Sequence, residues 1–129
     1  MFDKLAKRML QPVNTSVISI MGVFNLLLGF WLILPFKSLG KYEQSIELSV
    51  GVVLFTIGAI ILYGALRERI STLGTGAIVG FIFWIIATGL AVATHFTATD
   101  WIFTLMIAVY HGFVGLNILV NNRNLPNKN

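Results

Sequence analysis

Two hydrogen-bonding side chains sit inside otherwise uninterrupted apolar stretches: Asn25 in "SIMGVFNLLLGF" and His111 in "VYHGFVGLN", which Asn117 closes. An imidazole at membrane depth is a candidate proton or solute site, because ionisable groups there are costly and rarely idle. The competing role is packing: a neutral imidazole paired with an amide buries far more cheaply than a carboxylate and can hold helices together. Packing is the favoured reading. If successive segments run in alternating directions, Asn25 and His111 fall at similar depth, where one hydrogen bond could join them. Asn117 lies about a third of a turn from His111 at helical spacing. It shares a stripe with Phe103, Tyr110 and Asn121, suited to a partner helix or a cavity wall. Trp84, far from any interface, is expected to fill a gap in a bundle or between subunits.

Other chemistry is scarce. His95 is the second of the two histidines, and it lies roughly 15 Å from the depth of His111 at helical rise. One chain could not bring both to a single zinc ion or haem. Cysteine is absent, which removes disulfides, thiolate ligands and thiol nucleophiles. No H-E-x-x-H, P-loop or G-x-G-x-x-G pattern occurs, and no apolar stretch holds two carboxylates. Glu43, Glu47 and Asp100 read as solvated loop charges rather than a weak cation site. The expectation is a chain with no enzymatic activity, no cofactor and no metal.

The elements that must position Asn25 and His111 follow from composition. The 129 residues are 57% hydrophobic and 11% charged, with mean hydropathy +0.85, against about 25% charged in a soluble domain. Four stretches lack Asp, Glu, Lys and Arg: 17–36, 48–66, 74–94 and 101–120. Each suffices to cross a bilayer as a helix of about 20 residues. Backbone groups in lipid must be satisfied within the segment, which selects helices. The predicted architecture is all-α: an integral membrane antiparallel four-helix bundle (17–120), one domain, with a short N-terminal interfacial amphipathic helix. Asn14, Thr15 and Ser16 are ready caps for the first span, Pro35 lies near its exit, and Gly74 and Gly76 open the third. Ser71–Leu73 and His95–Asp100 read as tight loops, and Lys37–Glu47 as the one long external loop. Trp31 and Trp101 fall near one face and Tyr63 near the other, as interfacial aromatics do.

Residues 1–12 place Phe2, Leu5, Ala6, Met9 and Leu10 on one arc and Asp3, Lys4, Lys7, Arg8 and Gln11 on the other. This predicts a helix lying on an anionic inner leaflet, with Lys4, Lys7 and Arg8 binding the membrane surface. A cleaved signal peptide is disfavoured, since the apolar stretch is too long and no A-x-A site follows. Residues 121–129, "NNRNLPNKN", read as a polar cytoplasmic tail. Of the nine Lys and Arg, only Lys37 and Lys41 fall on the side opposite the N-terminus. That asymmetry predicts an integral membrane protein with both termini cytoplasmic. Basic residues scattered at span ends do not form a nucleic-acid surface.

Small residues recur along one face of each span: Gly22 and Gly29 flanking Asn25; Gly51, Gly58 and Ala65; Gly76, Gly80, Ala87 and Ala91; Thr104, Ala108 and Gly115 flanking His111. Such faces let helix backbones approach in lipid. Four seams exceed the obvious needs of one bundle, which predicts a homo-oligomer. Asn25, His111, Asn117 and these glycines are the helix-packing or pore candidates.

The stretch "RERISTLGTGAIVGFIFWIIATGLAVATHFTATDWIF", followed by "GLNILVNNR", resembles a group of small four-span membrane proteins encoded by tailed bacteriophages. The likeness covers roughly the second half of the chain. It rests on a basic turn after the second span, an "FFW…GL"-like third span and an Asn/Arg-bearing end to the fourth. That group has an acidic residue three places before the Asn, where this chain has Val114, so no role of the acid transfers. The resemblance implies a phage or prophage source and the host inner membrane, and carries no activity. With that source, the leading expectation is a self-associating protein with holin-like membrane permeabilisation. The alternative is a non-enzymatic structural or interaction protein binding a phage or host membrane partner. A small transporter or channel built on Asn25 and His111 ranks third.

Overall fold

The computed structural model describes residues 1–3, 15–34, 41–94 and 98–124. Four helices account for nearly all of them: α1 (Thr15–Ile33), α2 (Lys41–Leu66), α3 (Ile70–Ala93) and α4 (Ala98–Asn124). Each contains a stretch long and apolar enough to cross a membrane. The protein is an all-α four-helix bundle and a small polytopic membrane protein. Most of residues 1–12, including Lys4, Lys7 and Arg8, and the tail from 125 onward lie outside the described residues.

The helices overrun the expected spans. α2 begins at Lys41, so Lys41–Glu47, expected as external loop, is helical. α4 continues through Asn124, and its last turns are tied by Asn121 Nδ2 donating to the Asn117 carbonyl at 2.9 Å. Ser71–Leu73 is the first turn of α3 rather than a loop. The reversal between α2 and α3 is instead Arg67–Arg69, the most polar tripeptide near that end. There Glu68 adopts φ 52°. Its N–H donates to the Ala65 carbonyl at 3.3 Å, and the Arg69 N–H donates to the Gly64 carbonyl at 2.9 Å. This crossed pair is a Schellman cap, with glutamate in the left-handed position where glycine is usual. The Arg69 guanidinium lies 5.9 Å from the centroid of the Tyr63 ring, a cation–π contact that pins the turn beside the interfacial tyrosine.

Packing follows the glycines. A Cβ on Gly29 would strike the backbone of Phe55, and one on Gly51 would lie 2.9 Å from the Gly29 carbonyl oxygen. A Cβ on Gly58 would lie 2.5 Å from the Leu26 nitrogen and 2.7 Å from the Gly22 carbonyl oxygen. Antiparallel α1 and α2 therefore meet backbone to backbone at two levels, Gly29 with Gly51 and Gly22 with Gly58. α2 meets α3 where Gly64 faces Leu73 and Gly76 faces Ile61, and α3 meets α4 where Gly80 faces His111 and Gly115 faces Ile78. The extensive contacts are between helices consecutive in the chain, and α1 meets α4 over far fewer residues.

Two apolar clusters form the core. Ile18, Met21, Ile57, Ile61, Ala65, Leu73, Ala77, Val114 and Ile118 fill the end at which α1 begins. Leu54, Trp84 and Ala108 form the second, nearer mid-helix. Asn25 and His111 occupy the layer between.

Candidate functional site

Asn25 on α1 and His111 on α4 are both fully buried, and they meet. Asn25 Nδ2 lies 2.8 Å from His111 Nε2 and donates a second hydrogen bond, also of 2.8 Å, to the Met21 carbonyl. Asn25 Oδ1 accepts from Trp84 Nε1 on α3 at 3.1 Å. His111 Nδ1 is 2.8 Å from the Ile107 carbonyl. These partners leave one assignment of hydrogens. The indole nitrogen only donates and the carbonyls only accept, so the Asn25 amide oxygen faces Trp84 and its NH₂ faces Met21 and His111. His111 Nε2 must then accept, and Nδ1 must carry the proton it gives to Ile107. The result is a one-way series, Trp84 to Asn25 to His111 to Ile107, joining α1, α3 and α4 through a neutral imidazole with neither ring nitrogen free.

Local sequence builds this layer. Gly80 is the seat of the imidazole: a Cβ there would strike His111 Cδ2 and lie 3.0 Å from Nε2. Phe83 meets Trp84 edge-on at 5.6 Å and 89°, and Phe24 lies 6.4 Å away on the α1 side. Thr88, one turn on, donates to the Trp84 carbonyl at 2.8 Å and reaches Thr104 Oγ1 on α4 at 3.0 Å. Among the described residues no buried side-chain nitrogen or oxygen lacks a partner, and no three His, Asp or Glu side chains gather as metal ligands.

Other sequence candidates are distributed differently. Asn117 is 3% exposed and accepts from Asn121 Nδ2 at 3.1 Å, so it does not continue the open stripe of Phe103 and Tyr110. Phe103 is 56% exposed and Tyr110 37%. One helical face thus passes from open at Phe103 to closed at Asn117 along α4. The pair Gly76-x-x-x-Gly80 does not form one dimerisation face, since Gly76 faces α2 and Gly80 faces α4. Positions four apart differ by about 40° around a helix, enough to address two neighbours inside one chain. Gly22, Gly29, Gly51, Gly58 and Gly115 also pack within the chain, and Gly89 alone among the glycines described has nothing within 4 Å. The hydrogen-bonding role of Trp84 was not anticipated. A mid-span tryptophan does carry the signal, because its N–H needs an acceptor wherever the ring is buried.

The site can transmit packing between three helices, but it presents no free base, nucleophile or ligand set. No family model, curated protein or solved structure matches the chain.

Proposed function

We propose that this membrane protein is a non-enzymatic structural or interaction component of a bacterial inner membrane, acting through contacts with other membrane constituents rather than by conducting solutes. The observation carrying this reading is that the intramembrane polar groups are used up inside one chain. Trp84, Asn25 and His111 satisfy one another, and no buried polar atom among the described residues is left over to line an aqueous path. Outward hydroxyls are likewise turned back onto their own helices: Ser49, Thr56 and Thr75 each donate to the carbonyl four residues earlier, at 2.8–2.9 Å. Back-bonded hydroxyls suit a lipid-facing surface better than a pore wall. The basic asymmetry about the spans supports an orientation with both termini cytoplasmic.

Expression in cells with a membrane-potential dye, paired with dye release from proteoliposomes, separates this reading from holin-like permeabilisation. The expected outcome is a maintained potential and retained dye at high membrane levels of the protein. Collapse of the potential with dye release would favour the holin-like alternative. Solute flux abolished by His111→Ala in an otherwise intact protein would favour a transporter.

A further inference from the structure

A groove of about 820 Å³ opens sideways between α1 and α4. Ile20 and Phe24 form one wall, and Phe103, Met106, Tyr110 and Phe113 the other. Water does not suit it, because a held water needs two to four polar partners. Tyr110 Oη already points at the Val17 carbonyl, 3.4 Å away, and both nitrogens of His111 are engaged. A transmembrane helix does not suit it either. Helices associate in lipid by bringing backbones together over small residues, and no Gly, Ala, Ser or Thr lines this groove. The walls are large apolar side chains, including the adaptable thioethers of Met21 and Met106. Such walls fit a flexible hydrocarbon.

The dimensions agree. Phe103 to Phe113 spans about 15 Å at helical rise, the depth of one leaflet of a core about 30 Å thick. The groove is most open at its Phe103 end, where that residue is 56% exposed, and its lining stops at Phe113, short of Asn117, which is 3% exposed. We propose that the α1/α4 groove holds one acyl chain of a membrane phospholipid, entering from the leaflet in which α4 begins. This inference requires only that the chain span a bilayer and is independent of the function proposed above.

Trp84 is the natural reporter, because Phe24 in the groove wall lies 6.4 Å from its ring while Trp84 itself is only 5% exposed. The full chain carrying Trp31→Phe, Trp101→Phe and Met106→Cys retains a single tryptophan and a single thiol. It is reconstituted in phosphatidylcholine vesicles with dibrominated acyl chains, before and after the folded protein is alkylated at position 106 with a bulky maleimide. The expected result is loss of most Trp84 emission in the open protein and its recovery once the groove is plugged. Equal quenching with and without the plug, or none in either, overturns the proposal. High-yield disulfide cross-linking between copies at position 106 also overturns it, in favour of a second copy of the chain in the groove.

Discussion

Trp84, Asn25 and His111 owe their arrangement to the inventory of each side chain. Asn25 accepts from Trp84 and donates to His111 at once, so it is the hub that joins the other two. Removing it strands the indole N–H and the imidazole Nε2 together, and the cost is set by two buried unpaired groups rather than by one lost contact. Hydrogen bonds between transmembrane helices average well under about 1 kcal/mol, whereas leaving a buried group unsatisfied costs about 1–3 kcal/mol. We therefore expect Asn25→Ala to destabilise the protein by about 1–3 kcal/mol in a reversible denaturant titration in detergent micelles. In a double-mutant cycle, His111→Ala should cost clearly less in the Asn25→Ala background than in the native chain. Strict additivity would mean that the 2.8 Å contact holds no coupling. Sequence brought Asn25 and His111 to one depth but could not supply Trp84, because depth along a span does not say which way a side chain faces. Three helices had to be placed before the indole nitrogen had an acceptor.

At the scale of elements, the glycines decide which helix lies against which, and their faces were legible while their partners were not. Gly22 and Gly29 lie seven residues apart, as do Gly51 and Gly58, so each pair presents one face. Nothing in that spacing says that the two faces meet each other. Read as surplus, the four seams suggested neighbouring protomers. In the structure they are consumed by the contacts α1 with α2, α2 with α3 and α3 with α4, which leaves the expected oligomer without its sequence argument. The energetic consequence is a contrast between two glycine substitutions with the same chemistry. Gly58→Val would drive a branched side chain into the backbone of α1 at Leu26, where no rotamer change can relieve it. It should prevent α1 from docking and abolish the monodisperse folded species in detergent. Gly89→Val meets open space and should leave gel-filtration profile and thermal stability unchanged. Comparable behaviour of the two variants would contradict the backbone-to-backbone contact.

For the molecule as a whole, apolar length and charge placement predict four crossings, because a charge-free stretch of about 20 residues has few other homes. Helix ends were less legible, since amphiphilic ends such as Lys41–Glu47 and Asn121–Asn124 stay helical beyond the point where hydropathy stops demanding it. The order of crossings puts the Arg67–Arg69 turn on the side where α1 begins, and the start of α2 on the other. Coupled with the basic bias, this order gives the proposed orientation, in which the turn is cytoplasmic. The cysteine-free sequence offers a clean test with single introduced thiols. Glu68→Cys keeps a non-glycine residue at the positive φ, so it should preserve the cap, and exposed Ser45 lies at the opposite end. A membrane-impermeant maleimide added to intact cells should label Ser45→Cys and spare Glu68→Cys, and inverted membrane vesicles should show the reverse. Labelling of Glu68→Cys from outside would invert the topology and place the amphipathic N-terminal segment on the wrong leaflet for Lys4, Lys7 and Arg8 to meet anionic lipid. Labelling of both sites from one side would require α2 to make no crossing, at odds with the 23-residue apolar stretch Gln44–Leu66 that joins them.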